Sequence, residues 1–479
     1  MPARPLRLRP PAGPLAEGFA AIRAELGIAA AFPAEAEREA ERAAAAVAAG
    51  ATGGGPRADR RDVALLTIDP EGSRDLDQAL AIEPLGDGHR VRYAIADVAA
   101  VVAPGGHLDA AARARGLTVY MPDARAPLHP PVLSEGAASL LPGEDRPALL
   151  WTIDLDARAE PVRADVERAT VRSRRALSYA EAQAAIETGA EPALTGLREV
   201  GLARLAREAE RGGVSLTVPV QEVVPVQGGF DLRYEAALPV EDWNAQISLL
   251  TGMVAGRIMA EGGVALVRTL DPADPEDLAA LRRTAAVLGV DWPEGAAYGD
   301  VVRALDPAEP GHAAFAARAA RLFRGAGYAA WTREAGGAPP RHAAIAAVYT
   351  HVTAPLRRLA DRVANEIVLA LAGGAAPPAW ALEALPAVPG LMATAGARAR
   401  AAERASVDLV ESALLAGRVG EEFPAVVIDA RGERATVQLA HPAVVGPLED
   451  GAARPGEALR VRLAAADPAA RRVAFTRAG

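Results

Sequence analysis

At 479 residues with 51% hydrophobic side chains, the chain is long enough for two to four domains and apolar enough to bury a large core. It contains no cysteine, and all 52 basic residues are arginine, which excludes disulfides, thiolate metal sites, a thiol nucleophile, a GxxxxGK phosphate loop and a Schiff-base lysine. The net charge of −9 argues against non-specific coating of duplex nucleic acid, while Arg341 to Arg362 carries four arginines against one acid, Asp361.

In chain order, Leu15 to Leu26 has apolar positions at helical spacing with Gly27 as a stop, and Pro33 opens a second helical run to Ala49. Two readings of this arm stand: a small helix-turn-helix unit, or a packing element. Gly53, Gly54, Gly55 and Pro56 then form a joint. Strand signals follow at Val63–Ile68, Val91–Val98, Leu149–Leu155, Pro161–Val171 and Ser215–Val224, with a helical run at Tyr179–Glu187. From Val240 to Ala416 the pattern reads as helices, among them a five-turn amphipathic one with Trp243, Ile247, Leu250, Val254 and Ile258 facing the core. The last 60 or so residues return to short runs, Phe423–Ile428, Ala435–Leu439, Leu459–Leu463 and Val473–Thr476, at the spacing of a small OB-type barrel. Segregated elements make the class α+β. The expected domains are a helical region 1–55, a mixed α+β domain 56–417 and an OB-fold domain 418–479.

Nine positions, Asp69 to Asp77 in TIDPEGSRDLDQAL, hold three aspartates. Crowded carboxylates ionise together only around a cation, and hard oxygen ligands suit Mg²⁺ or Mn²⁺. If Asp75 onward is extended, Asp75 and Asp77 share a face and Gln78 turns away with Leu76 and Leu80. A calcium loop is excluded, because its sixth position needs glycine and its twelfth glutamate, where this chain has Arg74 and Leu80. A second candidate is YTHVTAPLRRLADRV, from Tyr349. Thr353 suits a helix cap and Pro355 a first turn, which sets Arg357 and Arg358 against the helix dipole unless an anion such as phosphate is held there. The seven histidines include no pair at helical metal-binding spacing, so zinc is not expected.

Four segments in order, TIDPEGSRDLDQAL, YAIADVAAVVAPGGHLD, Val119-Tyr120-Met121-Pro122-Asp123 with Leu140 to Arg146, and YTHVTAPLRRLADRV, resemble the motifs of the ribonuclease II family's RNB catalytic domain. The resemblance covers residues 60 to 416, and the final strands look like the family's S1-type RNA-binding OB domain. It implies a mixed sheet-and-helix catalytic domain and a processive 3′→5′ exoribonuclease that hydrolyses single-stranded RNA to nucleoside 5′-monophosphates. Mg²⁺ is the implied cofactor, with Mn²⁺ an alternative, and no nucleotide cofactor is implied. A cytoplasmic monomer with no membrane association is expected. Asp69, Asp75 and Asp77 match active-site aspartates that bind the metal, and Arg357 matches the arginine on the scissile phosphate. Tyr120 matches an aromatic stacked on a base, Glu403 a glutamate near the terminal nucleotides, and His351, Thr353 and Arg358 belong with the RNA pocket. Two departures stand out. Gln78 replaces a fourth aspartate, so it is a metal-site candidate without charge, and no aromatic lies between Gly262 and Asp271 to complete a base clamp. The alternative reading is a catalytically inactive RNB-fold RNA-binding protein.

Overall fold

The computed structural model describes residues 14–216, 220–226, 229–235, 237–306, 309–323, 325–431, 434–439 and 441–478. It begins with two helices, α1 (Pro14–Glu25) and α2 (Ala34–Ala48), followed by β1 (Ala58–Asp59), β2 (Leu66–Asp69), β3 (Gln78–Leu85) and β4 (Gly88–Ala96). Next come α3 (His107–Arg115), the short pair β5 (Val119–Tyr120) and β6 (Arg125–Ala126), and the long strands β7 (Asp145–Leu155), β8 (Pro161–Arg172) and β9 (Arg175–Ser178). Seven strands form one mixed sheet in the order β1-β8-β7-β4-β3-β2-β9, with parallel pairing at its two edges and antiparallel pairing between.

Strand periodicity decides how both faces of this sheet are covered. Along β4 and β7, Val91, Tyr93, Ile95, Leu149, Trp151 and Ile153 point into one core. Ala94, Ala96, Ala148 and Leu150 point into the other. Ala36 and Ala40 of α2 are buried in this second core, where α2 packs on α3. Against the bulky face pack α4 (Tyr179–Thr188), α5 (Pro192–Glu210) and, after the hairpin β10 (Val220–Val226) and β11 (Gly229–Glu235), the long helix α6 (Pro239–Gly262).

The expected strand from Ser215 does not begin there: β10 starts at Val220 and, among the described residues, pairs with β11, and residues 217–219 lie outside those described. Nor is the stretch from Val240 to Ala416 wholly helical. β12 (Val264–Thr269) and β13 (Gly327–Thr332) pair antiparallel across an insertion of α7 (Pro275–Leu288), α8 (Tyr298–Arg303) and α9 (Pro310–Ala319). Val264, Leu266 and Val267 are apolar enough for a buried helix, and Gly263 at φ 85° ends α6 and turns the chain into a strand instead.

Then come α10 (Leu359–Ala372), α11 (Ala379–Ala384), the 28-residue α12 (Val388–Leu415), and a closed barrel of β14 (Glu422–Arg431), β15 (Arg434–Leu439), β16 (Val445–Leu448), β17 (Ala458–Asp467) and β18 (Arg472–Arg477). The fold is therefore α+β with a five-stranded OB-like barrel. Phe19 and Ile22 of α1 are buried with Leu409 and Val410 of α12, in a cluster that continues into the barrel. The arm thus packs on α12. No helix among the described residues is long and apolar enough to cross a membrane.

Candidate active site

Asp69 ends β2, where parallel pairing sets it opposite Ser178 of β9. Residues 70–77 leave the ladder, so the extended run imagined for Asp75 onward does not form: strand pairing resumes only at Gln78, opposite Ile95. Ser139 fixes this loop. Its hydroxyl donates to the Arg74 carbonyl at 2.6 Å and accepts from the Leu76 N–H at 2.9 Å. Because the loop replaces strict alternation, Gln78 lines the cavity described below rather than turning away from it. Its side-chain oxygen accepts the buried Tyr93 hydroxyl.

The second segment approaches from almost three hundred residues away. The Leu356 N–H donates to Asp77 Oδ1 at 2.7 Å, and Arg357 Nε lies 3.2 Å from Asp77 Oδ2. Main-chain bonds hold this segment in place: Thr118 N–H donates to the Arg357 carbonyl at 3.0 Å, and Leu359 N–H to that of Gly116 at 3.0 Å. Farther back, the segment is pressed between α6 and β12. The Thr350 N–H bonds the Gly252 carbonyl, and a Cβ on Gly252 would fall 2.2 Å from the Tyr349 ring. Glycine in the middle of a long helix is thus the price of bringing His351 and Thr353 into the site.

Thr353 does not cap a helix. Its hydroxyl pairs with Ser248 of α6 at 2.7 Å, and α10 begins only at Leu359, with Arg358 in the cap position. The reason is Asp361, three residues inside the helix, whose carboxylate accepts the Ala354 N–H at 2.7 Å and both the Nε and Nη2 of Arg358, at 2.8 and 2.7 Å. The anion expected at this helix end is, for Arg358, one of the chain's own side chains. Pro355 consequently lies in the approach loop and not in the first turn.

Burial governs the electrostatics. It pushes the Asp77 carboxyl up to about 8 and that of Asp69 up to about 7; Arg357 pulls both back, and Asp75 pushes both up. Asp69 Oδ2 and Arg357 Nε are buried without a hydrogen-bond partner. Asp75 is held differently, accepting the Tyr120 hydroxyl at 2.7 Å and Arg125 Nη1 at 2.9 Å. Among the described residues no three acidic or histidine side chains already converge as a metal cage. The donors nevertheless fit a hard divalent cation. Asp69 offers a buried carboxylate oxygen without a hydrogen-bond partner, within electrostatic reach of Asp75 and Arg357, and added positive charge would favour its ionisation.

A cavity of about 580 Å³ opens on this cluster, lined by Asp69, Gln78, Arg357, Arg358, His351 and Thr353. Sequence reasoning missed several other residues of the wall. Arg268 of β12 comes from the very segment that lacks an aromatic, and its guanidinium sits 4.7 Å over the ring of Tyr328 on β13. The Tyr328 hydroxyl contacts His351 Nδ1 at 2.6 Å, and His351 stands edge-on to both Tyr328 and Tyr349. Burial holds the His351 ring well below its ordinary pKa, with Arg358 and Arg268 acting the same way, so it is neutral. Only the antiparallel register of β12 with β13, Arg268 opposite Tyr328, carries this signal, and it joins residues sixty positions apart. Glu403 is exposed on α12 and lies outside the residues that line the cavity.

Residues 57–373 match the RNB domain. The chain belongs to the RNB family. Residues 421–478 of this RNB chain, the barrel, match the RNase II-type exonuclease C-terminal S1 domain. Among curated proteins it is 30% identical over 349 residues to the probable exosome complex exonuclease RRP44 of Caenorhabditis elegans, an alignment covering 66% of this chain and 35% of that protein. The chain therefore corresponds to about a third of that relative's length. Mycoplasma genitalium RNase R in complex with ribose methylated single-stranded RNA superimposes with a TM-score of 0.85 over 96% of this chain and 77% of the other, at 18% identity. Yeast Ssd1, described as a pseudonuclease, superimposes with a TM-score of 0.66 over 82% of this RNB chain and 50% of its own, also at 18% identity. Both likenesses are of fold.

Proposed function

We propose that this RNB chain is a processive 3′→5′ exoribonuclease that binds single-stranded RNA and hydrolyses it, with Mg²⁺, to nucleoside 5′-monophosphates. The observation that carries the proposal is that Asp69 and Asp77 both act on Arg357, and that Asp69 and Arg357 line a cavity that also presents Arg268 and Arg358, with Asp77 buried behind it. Two buried carboxylates answered by one guanidinium leave a site whose charge is completed by a cation and by the phosphate of a substrate.

Asp69 and Asp77 would hold the cation, with Asp75 and the side-chain oxygen of Gln78 beside them. When bound, Mg²⁺ supplies Lewis acidity to the scissile phosphate and lowers the pKa of a coordinated water. The chain's own residues do the rest. Arg357, whose Nε faces Asp77 at 3.2 Å, also lines the cavity, where its guanidinium would meet a phosphate oxygen and stabilise the charge that grows there. Arg268 over Tyr328 presents a flat cationic surface on which a base can stack without regard to its identity. Neutral His351, fixed by the Tyr328 hydroxyl, shapes that wall and transfers no proton near neutral pH.

The second reading, an RNA-binding chain without turnover, draws on Gln78, whose oxygen is already engaged by Tyr93, and on the likeness to a pseudonuclease. One experiment separates them. With 5′-labelled single-stranded RNA and Mg²⁺, shortening from the 3′ end with release of 5′-monophosphates, abolished by EDTA, supports turnover. Intact RNA that remains bound supports the second reading, and internal cuts overturn both.

A further inference from the structure

The geometry points to Arg23, on the amino-terminal helix α1, as a positioning residue for the Asp75 carboxylate. It acts through the turn between β5 and β6. Arg23 Nη1 lies 2.8 Å from both carboxylate oxygens of Asp123, at the tip of that turn. The turn itself is closed by the Met121 N–H on the Ala124 carbonyl at 2.9 Å. Immediately on either side stand Tyr120 and Arg125, the two side chains that hold Asp75, one on each oxygen, at 2.7 and 2.9 Å. Arg125 is itself braced by Glu135 at 2.6 Å.

Packing supports the same relay independently of the ion pair. Val119, Met121 and Ala126 of the hairpin are buried in one apolar cluster with Leu15, Phe19 and Ile22 of α1. Two residues per strand cannot hold a hairpin by main-chain bonds alone. Its shape is therefore set by what it packs against, and α1 supplies both an apolar wall and a charge for its tip. The packing of α1 on the hairpin would thus fix one carboxylate of the candidate site from outside the residues that match the RNB domain.

The inference relies on the proposed function only for what Asp75 does, so its test has two arms. Hydrogen exchange compares the amides of Tyr120, Met121 and Asp123 to Arg125 in wild type, Arg23→Ala and Asp123→Asn; each variant speeds their exchange about tenfold. In RNA hydrolysis, the same variants raise the Mg²⁺ concentration for half-maximal rate about tenfold, as loss of an outer partner of a metal-binding group does, and leave KM for RNA unchanged. The swap Arg23→Asp with Asp123→Arg restores both quantities. Glu25→Gln, which cuts the 2.6 Å tie of α1 to Arg471 on the barrel instead, changes neither.

Hairpin exchange unaltered in Arg23→Ala overturns the proposal, as does a loss of rate with the Mg²⁺ requirement unchanged. Should Arg23→Ala lose its fold, Asp123→Asn, nearly isosteric, carries the comparison. A wild-type chain that hydrolyses no RNA defeats the proposed function alone, and the exchange measurement still decides this inference.

Discussion

Replacing Asp77 by asparagine separates the cost of the site from its chemistry. Asp77 is 2% exposed, and its carboxyl is pushed up to about 8 by burial. Between its ordinary value and 8, the folded chain keeps a proton that the unfolded chain has released. Stability of the metal-free protein therefore falls as pH rises through that window and levels off above it. Each pH unit is worth about 1.4 kcal/mol for such a group, so from pH 5 to pH 8 Asp77 removes ~3–4 kcal/mol. Asparagine is neutral throughout and keeps the oxygen that accepts the Leu356 N–H, so the variant loses this slope. Urea unfolding of both proteins in EDTA at pH 5, 6, 7 and 8 measures it. The two should be nearly equally stable at pH 5, and Asp77→Asn the more stable by a few kcal/mol at pH 8, while RNA hydrolysis falls by about 10³-fold or more. Parallel pH profiles for the two proteins would refute the buried-carboxylate argument.

Arg357→Ala should lower kcat/KM on single-stranded RNA by about 10²–10³-fold, and it removes the guanidinium that pulls the Asp69 and Asp77 carboxyls down, so the metal-free pH dependence of unfolding steepens. Arg268→Ala should weaken binding of a non-hydrolysable RNA by about 1–3 kcal/mol with little dependence on base sequence, measured by fluorescence anisotropy; a base-specific loss would contradict the stacking role. Gly252→Ala places a methyl group 2.2 Å from the Tyr349 ring, and should cost about 1–3 kcal/mol in urea unfolding and reduce hydrolysis by displacing His351 and Thr353.

Much of the fold could be read from one dimension. The barrel strands carry period-2 patterns and α6 carries the 3.6-residue pattern, because each such element buries one face whatever its neighbours are, while β4 and β7, buried on both faces, were legible as short apolar runs bounded by turn residues. Where an element is buried on all sides, the pattern is silent. Val264–Thr269 sits between α6 and α10 and paired with β13, so continuous apolarity did not distinguish strand from helix. The start of α10 was misplaced for another reason: Thr353 and Pro355 are good helix openers locally, and Asp361, reaching back to Ala354 and Arg358, overrides them.

The acidic cluster at Asp69 to Asp77 and the paired arginines at Arg357 and Arg358 are properties of the sequence, since composition and order alone bring those charges together along the chain. Their effect on one another is not. Only the tertiary structure sets Leu356 and Arg357 on Asp77, buries two carboxyls far enough to raise their proton affinity, and passes support from Arg23 through a four-residue turn to Asp75. Desolvation and hydrogen-bond geometry depend on what surrounds a group in space, and residues hundreds of positions apart supply those surroundings.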